Sequence, residues 1–259
     1  MCGRYHITRP LNAVAEIFDA SIPEEIREAT AAALPRYNIA PTQMVPVIRR
    51  EVEGSQRGQR IVDFAHWGLV PSWAKDRSMA ARMINARSET VAEKPSFRGA
   101  FRHRRCLIPT CGFYEWKTEV PAAGGKAVKQ PYRVYFEGGR MMVMAGLFEV
   151  WQAADGSALG SCSMLTTAAS DTMRQLHPRM PVILDSEDEW DAWLAPQAEP
   201  ELLLSLCTAH QSADFAFHPV DRAVGAVRNE GAHLLQSIDP NSAPELHAEV
   251  AKPTQGDLF

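Results

Sequence analysis

Residues 106–117 read Cys-Leu-Ile-Pro-Thr-Cys-Gly-Phe-Tyr-Glu-Trp-Lys. The apolar run 106–109 predicts a buried strand, and the aromatic run 112–117 predicts a second strand that carries one carboxylate, Glu115. No helical pattern separates the two runs. A parallel β-α-β unit would need a helix between its strands, so this stretch argues against a doubly wound parallel sheet.

The rest of the chain repeats this preference for strands over helices. Further strands are predicted at 44–49, 61–67, 132–136, 141–148, 163–167, 182–184 and 215–220. Helices are predicted at 10–18, 23–34, 170–176 and 201–207, and Ser186 with Glu189 forms a capping box for a helix holding Trp190 and Trp193. The fold class is therefore α+β, a single mixed domain built on antiparallel, partly barrel-like β-sheets with peripheral helices.

Three segments are assigned from local composition. Residues 36–41 are interpreted as a loop, and Glu137-Gly138-Gly139 is interpreted as the turn of a hairpin joining 132–136 to 141–148. The folded domain is predicted to span 1–238. The Pro-, Ser- and Glu-rich stretch 239–259 is predicted to be a disordered C-terminal tail.

Composition places the chain among ordinary cytoplasmic globular proteins. It has 259 residues, 46% hydrophobic and 22% charged, with a net charge of −4, so any contact with nucleic acid must rest on local positive charge. The 5 cysteines are odd in number and form no C-x-x-C pair, which predicts reduced thiols without disulfides or zinc. The absence of a signal peptide and of an apolar run of about 20 residues predicts a soluble protein with no membrane partner.

Cys2 carries the most distinctive chemistry. Once Met1 is trimmed, Cys2 bears a thiol and a free α-amine on adjacent carbons, with unperturbed pKa values of about 8.5 and roughly 7.7–8.0. Such a 1,2-aminothiol can trap an aldehyde as a five-membered thiazolidine, or it can attack an amide carbonyl as an N-terminal nucleophile. The alternative is a cysteine with no role at a frayed terminus.

Four further positions have chemical content that is weak when each is read alone. Asn85 with Arg87 can orient an amine and clamp a phosphate, but also fits a turn with a solvated arginine. Glu115 between aromatics suits a proton shuttle, or simply faces outward. His177 is either a proton-transfer group or a structural histidine before proline. Asn38 with Pro41 marks a loop that could line a site.

Taken together, these segments resemble one family in the order of their motifs. They are Met1-Cys2-Gly3-Arg4, Arg36-Tyr37-Asn38-Ile39-Ala40-Pro41-Thr42, Trp67-Gly68-Leu69-Val70-Pro71-Ser72-Trp73, Asn85-Ala86-Arg87-Ser88-Glu89-Thr90, Gly112-Phe113-Tyr114-Glu115-Trp116-Lys117, His177-Pro178-Arg179-Met180-Pro181, and His218-Pro219-Val220 with Ala223-Val224-Gly225. The chain resembles the SOS-response-associated peptidase family, also described as abasic-site processing proteins. The resemblance spans roughly Cys2 to Gln236.

The resemblance implies a DNA-damage function. It implies a lyase-like, Schiff-base reaction in which Cys2 joins covalently to the aldehyde of an abasic site in single-stranded DNA, with Asn85, Glu115 and His177 as the other catalytic residues. The positions it implies for DNA contacts are Arg4, Asn38, Pro41, Trp73, Arg87, Trp116, Thr166 and Arg179. Peptide cleavage is expected mainly as removal of Met1 in cis. No cofactor or metal is expected, and a monomer suffices.

Elementary chemistry agrees with that implication. A ring-closed abasic sugar must be opened before its aldehyde can react, which calls for acid and base groups nearby. Single-stranded DNA is held by local cations and stacking aromatics, which a net-acidic protein with clustered Arg and Trp can supply.

Rival functions remain open at this point. A class II glutamine amidotransferase also begins Met-Cys-Gly, although its downstream glutamine-binding signatures cannot be placed here. A cysteine peptidase acting on proteins, or a non-catalytic DNA-binding module, would use the same residues differently. Turnover in a glutaminase assay would favour the amidotransferase. A heat-stable crosslink to an abasic single strand, absent in Cys2→Ala and in undamaged DNA, would exclude the non-catalytic module.

The chain ends Gln255-Gly256-Asp257-Leu258-Phe259. This resembles the Gln-x-x-Leu-Phe peptides by which bacterial replication and repair proteins dock on the sliding clamp. Gln255, Leu258 and Phe259 are therefore predicted clamp contacts, and a chance pentamer is the alternative.

Overall fold

The structure, a computed structural model, describes residues 2–52, 57–120, 126–210 and 215–240. Its strands are β1 Tyr5–Ile7, β2 Arg36–Ile39, β3 Met44–Arg50, β4 Arg60–Trp67, β5 Asn85–Arg87, β6 Arg105–Thr110, β7 Gly112–Glu119, β8 Val128–Phe136, β9 Met142–Gln152, β10 Ala158–Ala168, β11 Arg179–Pro181 and β12 Phe215–Pro219. Its α-helices are α1 Leu11–Ile17, α2 Glu24–Thr30, α3 Arg98–His103, α4 Asp171–Arg174, α5 Glu187–Leu194 and α6 Pro200–Leu206. The predicted α+β class is confirmed.

The strands form two sheets. The first runs β12-β8-β7-β1-β2, and its neighbouring strands pair antiparallel. The second closes on itself, because β3 pairs with β4 and β6, β9 pairs with β6 and β10, and β10 pairs with β4. The result is a five-stranded barrel, to which the short strands β5 and β11 are added along β10. Closure gives each of the five barrel strands a partner on both sides, so the remaining edges of this sheet belong to the short strands β5 and β11.

The stretch 106–117 joins the two sheets. Its first strand, β6, belongs to the barrel, and its second, β7, lies in the open sheet, so the chain changes sheets at Cys111. Thr110 Oγ1 donates to the backbone oxygen of His6 at 2.9 Å and accepts from Gly112 N at 3.0 Å. A side chain at Gly112 would place its Cβ 2.5 Å from Val134 O, so the crossing requires glycine.

A single large core lies inside the barrel and between the sheets, with Trp67, Trp193, Tyr5 and Phe101 among its fully buried side chains. Trp193 comes from α5, which begins with the predicted capping box: Ser186 Oγ accepts from Glu189 N, and Glu189 Oε2 accepts from Ser186 N. Within the described ranges, none of the helices is long and apolar enough to cross a membrane.

Three local predictions are wrong. The predicted strand 182–184 does not form, because the strand in this part of the chain is β11 Arg179–Pro181 and Ile183 makes only an isolated bridge with Met144. The segment 132–136 does not form a hairpin with 141–148, because β8 pairs with β7 and β12 while β9 pairs with β6 and β10. The turn Glu137–Gly139 instead carries the chain from one sheet to the other. Residues 36–39 are a strand rather than a loop, pairing with β1 at the sheet edge.

Candidate functional site

Cys2 lies between the two sheets and is completely buried. Toward the barrel, Asn85 Nδ2 donates to the backbone oxygen of Cys2 at 2.9 Å. Toward the open sheet, Tyr114 N donates to the backbone oxygen of Arg4 at 2.9 Å, which aligns the start of the chain with β7. The N-terminal segment is therefore held on both sides by elements far away in sequence.

The environment of Cys2 keeps its thiol protonated. Burial raises the pKa of the thiol well above its usual range, and the nearby carboxylate of Glu115 raises that pKa further because it repels a thiolate. Glu115 is itself buried on β7, opposite Tyr132 of β8. The structure thus brings together Cys2, Asn85 and Glu115, three of the predicted catalytic residues.

Asn85 presents a second polar atom to this site. Because Cys2 O can only accept, the amide must turn Nδ2 toward it, which points Oδ1 the other way. Asn85 Oδ1 is buried and has no hydrogen-bond partner among the described residues. A buried acceptor without a partner costs free energy, so this oxygen is suited to a hydrogen-bond donor that comes with the reaction.

Arg87 stands two residues after Asn85 on β5, so the two side chains project from the same face of the strand, opposite the buried Ala86. Its guanidinium is exposed and makes no hydrogen bond or ion pair with the part of the chain that the structure describes. Arg87 is therefore available to an outside anion beside the buried centre.

His177 lies in the turn that leads from α4 into β11. Arg179 N donates to His177 Nδ1 at 3.0 Å, which places the proton of the neutral ring on Nε2. Arg179 O lies 3.1 Å from the same Nδ1 and can accept from it when the ring is protonated. The backbone of Arg179 can therefore hold the imidazole in one orientation in both charge states.

Arg179 and Thr166 face each other beside β5. Thr166 of β10 is aligned with Arg87 on one side and with Pro181 of β11 on the other. Arg179 Nη2 donates to Thr166 O at 2.6 Å and to its Oγ1 at 3.1 Å. The guanidinium also forms a two-point ion pair with Glu89. These two predicted DNA contacts are thus engaged within the protein.

Arg4 and Asn38 form a buried network. Arg4 Nη1 donates to Asn38 Oδ1 and to Val224 O, each at 2.8 Å, and Asn38 Nδ2 is within reach of Val224 O, Ala226 O and Asn229 O. Burial lowers the pKa of Arg4. Both side chains hold the segment 224–229 against the sheet edge.

The predicted aromatic contacts differ in exposure. Trp73 is 59% exposed and borders a cavity of about 210 Å³ that is also lined by Pro95 and Arg98. Trp116 is half-buried, with the guanidinium of Arg4 centred 6.0 Å from its ring. Pro41 is half-buried and lies two residues after the end of β2. Trp73 is the more accessible of the two tryptophans for stacking.

Comparison with known proteins places this chain in a family. The sequence profile of the family described as SOS response associated peptidase (SRAP) matches residues 1–227. The chain belongs to the SRAP family. It is 35% identical over 240 residues to the abasic site processing protein YoqW of Bacillus subtilis (strain 168), covering 92% of this chain and 100% of that protein. It is 32% identical over 255 residues to the abasic site processing protein HMCES of Gallus gallus, covering 88% and 73%.

Solved structures support the same fold. An X-ray structure of a Bacteroides thetaiotaomicron protein superposes with a TM-score of 0.79 at 22% identity, covering 92% of this chain and 100% of that chain. One from Bordetella bronchiseptica has a TM-score of 0.67 at 25% identity, covering 85% and 100%. The two-sheet arrangement is therefore shared with crystallised proteins.

Sequence reasoning about this SRAP domain missed two parts of the site. Glu89 lies within the motif Asn85-Ala86-Arg87-Ser88-Glu89-Thr90 quoted above. Its part in the site is visible only in the structure, where it forms an ion pair with Arg179. The second part is the set of backbone oxygens in 224–229, which no pattern of side chains in the sequence could indicate.

The predicted clamp contacts Gln255, Leu258 and Phe259 lie outside the described residues. Within the described ranges, no cluster of His, Cys, Asp or Glu could hold a metal ion.

Proposed function

We propose that this protein acts on abasic sites in single-stranded DNA by forming a covalent thiazolidine through Cys2 after Met1 has been removed. The observation that carries the proposal is the buried arrangement of Cys2, Asn85 and Glu115 in a chain of the SRAP family. Curated relatives of this chain are named abasic site processing proteins. An aldehyde is the electrophile that an N-terminal aminothiol traps as a stable ring.

The reaction balances without a cofactor. The α-amine of Cys2 adds to the aldehyde carbon of the opened sugar, and the resulting carbinolamine loses one water to give an imine. The Cys2 sulfur then adds to the imine carbon while the imine nitrogen takes up the thiol proton. One C–N bond and one C–S bond form, one water is released, and nothing is oxidised or reduced.

The surroundings of Cys2 favour attack by nitrogen before sulfur. Because burial and Glu115 keep the thiol protonated, the amine is the first nucleophile, and the sulfur follows when its proton can leave. Glu115 is placed to move protons during ring opening and water loss. Asn85 fixes the Cys2 backbone through Nδ2 and offers Oδ1 to the amine or to the carbinolamine hydroxyl.

The DNA strand is proposed to contact Arg87 and Trp73, both of which are exposed. Arg87 can meet a phosphate, and Trp73 can stack on a base, contacts that do not depend on sequence. Arg179 keeps one Nη1 proton for a phosphate once Glu89 and Thr166 are satisfied. Arg4, Asn38 and Thr166 are buried, and they support the site through hydrogen bonds within the protein.

The test is a trapping experiment with Met1-free protein, verified by intact mass. It should form a heat-stable crosslink with a single strand containing one abasic site and none with the undamaged strand. Cys2→Ala should form no crosslink, whereas Cys111→Ala, which removes another buried thiol, should crosslink normally. No crosslink from Met1-free protein refutes the proposal. Glutamine hydrolysis in its place would identify an amidotransferase-like enzyme, and cleavage of protein substrates a peptidase.

The C-terminal residues Gln255, Leu258 and Phe259 are proposed to dock on the replication sliding clamp. A short peptide can bind an apolar pocket while paying ordering entropy at that moment. Clamp capture by the full chain should be lost when the last five residues are deleted, and unchanged capture would dismiss this role.

A further inference from the structure

The proposed reaction gives no role to Glu89, although Glu89 forms an ion pair with Arg179. It lies two residues after β5, and its carboxylate meets Arg179 of β11 at two points: Oε1 contacts Nη1, and Oε2 lies 3.0 Å from Nη2. Two parallel hydrogen bonds between a carboxylate and a guanidinium fix direction as well as distance. The Arg179 side chain is only 16% exposed, so this pair is well shielded on the arginine side.

The ion pair spans strand β10. β5 and β11 are both very short and both depend on β10, at Arg87↔Thr166 and Ala168↔Arg179. The Glu89–Arg179 pair connects the end of β5 to the beginning of β11 over Thr166, whose backbone and hydroxyl oxygens accept from the same guanidinium. The bridge therefore sets how these two short strands lie relative to each other.

The beginning of β11 in turn sets the position of His177. Arg179 N donates to His177 Nδ1, and Arg179 O lies 3.1 Å from that atom. A shift of the Arg179 backbone must therefore move the imidazole. Asn85 stands at the other end of the connection, four residues before Glu89. The bridge thus couples the strand that holds Cys2 to the turn that holds the histidine.

We propose that Glu89 is a positioning residue for the crosslinking reaction, which fixes Arg179 and through it holds His177 at the distance from Asn85 and Cys2 that the chemistry requires. This inference rests on the proposed function. Glu89 does not help to bind DNA, since its negative charge opposes the phosphates. Removing the Glu89 charge should therefore slow crosslinking but leave the affinity for DNA unchanged or higher. Loss of a phosphate-binding residue would instead lower the affinity for DNA.

The first variant is Glu89→Gln in full-length, Met1-free protein. We expect its crosslinking rate with an abasic single strand to fall about 10- to 100-fold, the range expected when a catalytic group is displaced by about an ångström. Its affinity for the undamaged strand should not fall. Glu93→Gln is the matched control: it removes the same charge from an exposed position of the same segment and should crosslink at the wild-type rate.

A double-mutant cycle with His177→Ala separates positioning from general structural damage. If Glu89 acts through His177, adding Glu89→Gln to His177→Ala causes no further change in the rates of crosslink formation or reversal. Arg179→Lys keeps the charge but loses the two-point contact with Glu89, so it should slow crosslinking as Glu89→Gln does. Only its crosslinking rate is compared, and it serves if Glu89→Gln folds poorly.

The outcomes are distinct. A wild-type protein that forms no crosslink refutes the proposed function and this inference with it. A normal wild-type crosslink combined with an unimpaired Glu89→Gln and Arg179→Lys overturns this inference alone. Two further results also overturn this inference, because Glu89 would then act by another route. One is a double mutant in which the losses of crosslinking rate add. The other is slow crosslinking by Glu89→Gln while His177→Ala is unaffected.

Discussion

Replacing Asn38 by alanine removes a buried amide that both accepts and donates hydrogen bonds. Asn38 Oδ1 accepts from Arg4 at 2.8 Å, and Nδ2 lies 2.8–3.2 Å from three backbone oxygens, those of Val224, Ala226 and Asn229. An amide nitrogen has only two protons, so three bonds at most are lost at any moment: two donations and one acceptance. At about 1 kcal/mol net for each bond, the free energy of unfolding should fall by about 3 kcal/mol.

Urea unfolding followed by tryptophan fluorescence measures this loss, with the slope checked against the wild type so that only stability is compared. In a domain of this size, the expected loss corresponds to a fall in Tm of about 6–12 °C. Asn12→Ala, an exposed asparagine on α1, is the control and should change stability by no more than about 0.5 kcal/mol. A loss below about 1 kcal/mol together with weaker DNA binding would refute this reasoning and show that Asn38 faces the DNA.

Three further outcomes follow from the site. Asn85→Ala removes Oδ1, the acceptor proposed to gain a hydrogen bond from the amine or the carbinolamine hydroxyl during the reaction. A bond made only then is worth about 1–3 kcal/mol, so crosslinking should slow by about 5- to 150-fold; an unchanged rate in gel assays would exclude this role. Glu115→Gln removes the negative charge that repels the Cys2 thiolate, so the pKa of Cys2 should fall and alkylation of Cys2 at one fixed pH should be faster than in the wild type. Slower alkylation would contradict the assigned sign. Trp73→Ala should weaken single-strand binding by about 1–3 kcal/mol because it removes a stacking surface, and the salt dependence of binding should not change. Arg87→Glu should reduce the salt dependence of binding, because a phosphate contact is lost. Titrations at several salt concentrations measure both effects, and the opposite pattern would reverse the two roles.

The elements that the sequence predicted well are those set by near neighbours. Helix α1 follows the spacing of Leu11, Val14 and Ala15, and α5 begins at the Ser186–Glu189 capping box. Both depend on contacts within four residues, which a linear pattern contains. The sequence also identified Glu115 and Asn85 as chemical groups, because their residue types and motifs are visible without knowing their partners.

The failures involve partners far away in the chain. Glu137-Gly138-Gly139 has the composition of a hairpin turn, but the strands on either side find partners in different sheets. Asn38 is predicted to lie in a loop, whereas it is a strand residue whose amide reaches 224–229. The role of Glu89 depends on its ion pair with Arg179, 90 residues further along the chain. Spacing along the chain cannot show which distant carbonyl or guanidinium a side chain will meet.

The paired strand next to Cys2 has a mechanical consequence. β1 begins three residues after Cys2 and is aligned with β2 on one edge and with β7 on the other. A DNA strand joined at Cys2 would transmit any pull from a moving polymerase or helicase directly into β1. A pull along this strand loads its hydrogen bonds to both neighbours together rather than one after another. An attachment at Cys2, as proposed, would therefore resist tension through the hydrogen bonds of β1, which lies one place in from the edge strand β2 of the open sheet.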